Sequence, residues 1–144
     1  MKKRLLILVG MVLALCLNAC RVRETYSLLH STDEISSVYI AYVQFDDKDQ
    51  VVQTERSKIN DVDAFIDDFK KVACYTYFGD PVGPVDKAEV ADVIKIVYDN
   101  GDYELIAYNG QAEYTQARGY NHYAGFSIFD EEQFMTLISN YLSD

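Results

Sequence analysis

The chain has no tryptophan, two prolines, two histidines and three cysteines in 144 residues. Beyond residue 20 the only thiol is Cys74, and two histidines with one thiol are too few for a conventional zinc centre. Both prolines fall in Gly79-Asp80-Pro81-Val82-Gly83-Pro84, which confines the strongest breakers to one loop. Positive charge is also scarce, with 13 Lys+Arg against 23 Asp+Glu, a net charge of −10. A nucleic-acid binder needs a basic face to offset phosphate, so that class is excluded. No Gly-rich phosphate loop, dinucleotide fingerprint or Ser-His-Asp pattern is present. A long apolar run is missing too: Leu5 to Leu17 spans 13 residues, too few to cross about 30 Å of hydrocarbon as a helix. What remains is 49% apolar and 25% charged, the composition of one globular domain.

That short apolar run follows Lys2-Lys3-Arg4, and the first 20 residues carry no acid. A basic start and a short apolar stretch without a polar stripe have the form of a secretory signal peptide. Next comes Leu17-Asn18-Ala19-Cys20: an aliphatic residue three before a Cys, a small one just before it, then the Cys. This motif resembles the lipobox of bacterial lipoproteins. The resemblance covers residues 1–20 and implies that the Cys20 thiol receives a diacylglycerol group and that cleavage falls between Ala19 and Cys20. It further implies anchoring to a bacterial membrane, facing outside the cytoplasm. Arg21 stands where the inner-membrane retention signal would place Asp, so a Gram-negative cell would hold the protein at its outer membrane. Acyl chains contribute about 0.8 kcal/mol per buried CH₂, enough for stable anchoring by two or three of them.

The expected division is 1–19 signal peptide, 20–36 lipidated Cys and polar tether, and 37–144 a single domain. Loss of the leader removes three positive charges, 13 − 3 = 10 against 23 acids, a net of −13. It also removes Cys16, and with Cys20 acylated only Cys74 remains, so no intramolecular disulfide is available.

Within the domain, Val38 to Phe45 is rich in β-branched and aromatic residues and reads as a strand, Asp46-Asp47-Lys48-Asp49 as its turn, and Gln50 to Lys58 as the return. Val62, Phe65, Ile66 and Phe69 fall at helical spacing after Asn60-Asp61, and residues 74–78 give a further strand. Asn100-Gly101 is a strong hairpin signal. Centred there, it pairs Tyr98 with Tyr103, Ile96 with Leu105 and Ile94 with Ala107, placing Lys95, Val97 and Glu104 outside. A second turn at Asn109-Gly110 returns Ala112 and Tyr114 beside Ala107 and Leu105, with Glu113 and Thr115 outside. Residues 118–122 read as a loop and Tyr123 to Phe129 as the last strand. Asp130-Glu131-Glu132-Gln133 has the form of a capping box before Phe134, Leu137, Ile138 and Tyr141. The expected fold is α+β: an antiparallel sheet of about 5–6 strands with helices at about 61–72 and 131–142 on one face. Ile59, Asp61, Phe65, Ile66 and Phe69 precede Ile128, Asp130, Phe134, Met135 and Ile138 by 69 residues. Either a degenerate β-β-α duplication or shared helix-start chemistry produces that match.

Chemistry-bearing residues are few. Cys74 and His122 are the only thiol and domain imidazole able to form a nucleophilic dyad, the basis of a small-hydrolase alternative, but no signature surrounds either. Asp46, Asp47, Asp49, Asp99 and Asp102 suggest weak divalent-cation binding, although no run has the spacing of a calcium loop. Half of the 12 tyrosines lie between 98 and 123. On the register above, Tyr98, Tyr103 and Tyr114 enter the core, Tyr108 faces outward, and Tyr120 and Tyr123 flank His122. Exposed Tyr among Asn, Gln and Gly is the composition of recognition surfaces. Tyr108, Tyr120, His122 and Tyr123 are therefore the expected binding residues, with no catalytic residue, metal or cofactor. The expected partners are the bilayer, through Cys20, and an envelope protein, peptidoglycan or other glycan. No helix shows a second apolar face, which points to a monomer.

Overall fold

A computed structural model describes residues 21–45, 51–77, 91–125 and 127–142. They form nine strands, two α-helices and one 3₁₀ turn. In chain order these are β1 (Arg21–Glu24), the turn Thr32–Glu34, β2 (Ile35–Phe45), β3 (Val51–Lys58), α1 (Val62–Phe69), β4 (Cys74–Tyr77), β5 (Ala91–Tyr98), β6 (Tyr103–Ala107), β7 (Gly110–Thr115), β8 (Gly119–Gly125), β9 (Ser127–Phe129) and α2 (Glu131–Tyr141). The fold is α+β, as expected. Two antiparallel sheets replace the single one: a six-stranded sheet ordered β3-β2-β5-β6-β7-β8 and a three-stranded one ordered β1-β4-β9. Among the described residues no helix is long and apolar enough to cross a membrane.

Both helices cover one face of the larger sheet. Phe65, Ile66 and Phe69 of α1 and Phe134, Leu137 and Ile138 of α2 pack with Val38, Ile40, Ile94, Ile96, Tyr98 and Ile106 in the main core. Burying each of these large side chains contributes roughly 1.5–3 kcal/mol. The opposite face carries a second cluster of Ala41, Val43, Val93, Leu105, Ala107 and Ala112. Each helix starts on an Asp cap, Asp61 accepting from Ala64 N and Asp130 from Gln133 N, both at 3.0 Å. The expected capping box is only half made. Gln133 does not reach back to its own cap but accepts at 2.9 Å from Ala73 N, tying α2 to the entry of β4. Helix α1 ends before residue 72 because Lys71 N and Val72 N bond three residues back, to Asp68 O and Phe69 O, the tight final turn that closes a helix.

Four expectations are corrected. Residues 21–36 are not a tether. β1 pairs with β4, Arg21 opposite Tyr77 and Glu24 opposite Cys74, and Tyr26, Leu28 and Leu29 pack against the main core. The two helices do not follow equivalent hairpins either: α1 follows the β2–β3 hairpin, whereas α2 follows β9, whose partner is β4. The duplication therefore has no topological counterpart, and shared capping accounts for the match. Residues 118–122 are not all loop, since β8 begins at Gly119.

The fourth correction moves side chains between faces. The β5–β6 hairpin pairs Ile94 with Ile106 and Ile96 with Glu104. Its loop is 99–101, closed by Tyr98 N to Asp102 O and Gly101 N to Tyr98 O, each 2.9 Å. Gly101 has φ 83°, the left-handed residue that ends a three-residue hairpin loop. A two-residue loop would have shifted the register by one and turned every β6 side chain to the other face. The β6–β7 turn is likewise Tyr108-Asn109, because Ala107 pairs with Gly110.

Candidate functional site

The register of β6 sends Glu104 inward, where it is 3% exposed. Its carboxylate accepts from Tyr26 OH at 2.8 Å, from Leu29 N at 3.3 Å and from the Tyr98 hydroxyl. Burial is the main reason its pKa lies above the usual carboxylate value, and these three hydrogen bonds oppose the rise. Both tyrosine hydroxyls are pushed up, first by burial and then by the Glu104 charge.

One turn along the hairpin, Asp102 is also buried. Its Oδ1 accepts from Gln116 N at 3.0 Å and its Oδ2 lies 2.9 Å from His30 Nε2. With the proton on Nε2, His30 donates to the carboxylate. Asn100 completes the group, donating to Asp102 Oδ2 at 3.1 Å and accepting from Asp102 N at 2.9 Å. The Gln116 N–H holds the Asp102 carboxyl below its ordinary range, with His30 second. The His30 ring stands edge-on to Tyr98, centroids 4.8 Å apart, so the two acids are linked through His30 and Tyr98.

An Asp–His pair beside tyrosines could carry acid–base chemistry, but these groups are spent on one another. The nearest hydroxyl in sequence, Ser31 Oγ, bonds Asp33. What the cluster does is hold segment 26–31 across the end of the β5–β6 hairpin. Sequence reasoning misses it because His30 sits in an aperiodic stretch and a two-residue loop at Asn100-Gly101 places Glu104 on the outer face.

The same register gathers tyrosines on the second face. Tyr103 and Tyr114 stack at 5.1 Å with rings 14° from parallel. Lys95 Nζ lies 5.3 Å from the Tyr103 centroid and 5.9 Å from that of Tyr39, and it bonds Glu55 Oε1 at 2.7 Å. Gln53 Nε2 donates to Tyr103 OH at 3.1 Å. All three tyrosines are half-buried. The row Tyr39, Lys95, Tyr103 and Tyr114 crosses β2, β5, β6 and β7, a flat aromatic strip edged by an amide and a carboxylate.

The residues expected to bind are not brought together. Tyr108 packs against the main core, while Tyr120 packs against the second cluster on the opposite face. Burial pushes the Tyr120 hydroxyl pKa up. His122 and Tyr123 lie on β8, an edge strand, rather than in a loop; their side chains are outside the described residues. Cys74 is 1% exposed and burial raises its thiol, the opposite of an activated nucleophile. Asp46, Asp47 and Asp49 lie outside the described residues. Asp99 is exposed, and Asp102 turns to His30 and Gln116 rather than towards it. Among the described residues no three His, Cys, Asp or Glu side chains are grouped to hold a metal ion. An open groove of about 560 Å³ runs between α1 and α2, but Lys71 and Asp68 on its wall pair at 2.8 Å.

Against known proteins, the chain matches no protein-family model, no curated protein and no solved structure.

Proposed function

We propose that the chain is a lipid-anchored bacterial envelope protein whose α+β domain binds rather than catalyses. Cys20 carries the anchor, the domain faces outside the cytoplasm, and its ligand is an envelope protein or glycan. The observation that carries the binding reading is the strip of Tyr39, Tyr103 and Tyr114 with Lys95 and Gln53. Half-exposed tyrosine supplies rigid amphipathic area at low entropic cost, with donors and acceptors at its rim for hydroxyls or backbone amides. The strip takes over the role that the sequence assigned to Tyr108 and Tyr120.

A photo-crosslinking residue placed at Tyr39 or Tyr114 in living cells, with exposed Asp67 on α1 as control, tests the reading. One dominant adduct from the strip and none from Asp67 supports it, and mass spectrometry of that adduct separates protein from glycan. The same adducts from all three positions, or none from any, would remove the strip as a binding surface.

A further inference from the structure

We infer that the domain is seated directly on the bilayer surface, with no spacer and with the β1–β4 end of the small sheet nearest the lipid. This rests on the lipid-anchor reading of Cys20. The next residue, Arg21, is already paired with Tyr77, and the ladder continues through Val22–Thr76 and Arg23–Tyr75 to Glu24–Cys74. Consecutive Cα atoms are about 3.8 Å apart, so the acylated residue and the first ladder pair are neighbours. Beyond β1 the chain stays fastened. The Tyr26 ring packs on Phe69 and Phe129 at 5.7 and 5.4 Å, Leu29 N and Tyr26 OH bond Glu104, and His30 bonds Asp102.

Magnitudes decide what this changes. A free tether over 21–36 would extend to roughly 55 Å at about 3.4 Å per residue. A domain of this size is only about 35 Å across, from a radius of gyration of roughly 14 Å. With the tether the domain could search well away from the membrane; without it, its whole reach is its own diameter. The ligand must therefore be presented at the bilayer surface, as by the outer part of a membrane protein. A net charge of −13 after loss of the leader makes anionic headgroups repel the domain. Its seating then depends on the short covalent link, not on adsorption.

The test is neutron reflectometry of the processed, acylated protein in a supported bilayer containing anionic lipid, beside a chain with 16 Gly/Ser residues inserted between Cys20 and Arg21. The unmodified protein layer is expected to centre within about 20 Å of the headgroups, and the insertion should move it outward by roughly 10–20 Å. An unmodified layer standing as far out as the insertion variant would overturn the seating while leaving the anchor intact. Mass spectrometry of the processed chain showing no acyl group on Cys20 would instead overturn the anchor and the seating with it.

Discussion

Tyr26 donates a 2.8 Å hydrogen bond to Glu104 across 78 residues of sequence, and that contact fastens the amino-terminal segment to the sheet. Glu104 can be probed by pH. Its folded-state pKa is raised, chiefly by burial, so its contribution to stability is present below the ordinary Glu range. That contribution is lost as pH rises through the raised value. Glu104→Gln keeps the shape and cannot ionise. The melting temperature of Glu104→Gln relative to the parent should therefore be more favourable near pH 7.5 than near pH 4. A difference that is flat with pH, or that grows on acidification, would contradict a buried, ionising Glu104. Glu104→Ala strands three donors and should cost roughly 3 kcal/mol near pH 4, and less near pH 7.5.

Asp102 has the opposite sign. Its carboxyl is held low, first by the Gln116 N–H and then by His30. The stability it supplies is present above the ordinary Asp range and fades as pH falls through the depressed value. Asp102→Asn loses the charge that His30 bonds. Amide hydrogen exchange across 26–35 should speed up in this variant while the β2–β5 ladder keeps its protection. Unchanged exchange at 26–35 would show that the segment is held without the His30–Asp102 contact.

How far the fold was legible depends on how each piece is held. Both helices could be read because each buries one stripe, Phe65-Ile66-Phe69 and Phe134-Leu137-Ile138, behind an Asp cap. The β5–β6 hairpin could be located but not registered. Both faces of the sheet are packed, so Leu105 and Ala107 on one side and Ile106 on the other satisfy either alternation. The period of two that normally fixes register had nothing to discriminate. The loop length decided it, and Asn100-Gly101 marks a turn without stating whether two or three residues form it. Segment 21–36 was illegible for a different reason. Between the four-residue strand β1 and the start of β2 it is held by single contacts from Tyr26, Leu29 and His30, which leave no repeating pattern. The tyrosine strip depends on the same register, since a two-residue β5–β6 loop turns Tyr103 and its partner Tyr114 into the core.

The loop assignment makes its own prediction. Gly101 and Gly119 both have positive φ, 83° and 75°, so a side chain at either costs about 1–2 kcal/mol in backbone strain. The sites differ in space. A Cβ at Gly101 would meet Gln116 Nε2 at 2.8 Å, while nothing lies within 4 Å at Gly119. Gln116 cannot swing away freely, because Nε2 donates to Asn100 O at 2.7 Å. In urea titrations Gly101→Ala should therefore cost more than Gly119→Ala. In a Gln116→Ala background the excess should largely vanish. Equal costs at the two glycines in the parent chain would count against the three-residue loop.

The two sheets are joined through Gln111, which is 1% exposed. Its side-chain amide occupies a ladder position on β9, with Nε2 donating to Ser127 O at 2.6 Å and Oε1 accepting from Ser127 N at 3.3 Å. One backbone bond, Phe129 N to Tyr108 O at 2.7 Å, runs beside it. Gln111→Ala would leave both Ser127 groups without these partners and should cost roughly 2–4 kcal/mol. Gln111→Glu separates the two bonds. The carboxylate still accepts from Ser127 N but sets negative charge against Ser127 O, whereas the protonated acid can donate there. Gln111→Glu should therefore be strongly destabilised near neutral pH and recover part of the loss on acidification, as its carboxyl takes up a proton. Thermal melts at several pH values, with exchange at 127–129 as the local probe, measure both effects. If Gln111→Ala unfolds within about 0.5 kcal/mol of the parent, the amide bridge is not what couples the sheets, and the Phe129–Tyr108 bond and the main core they share carry the coupling.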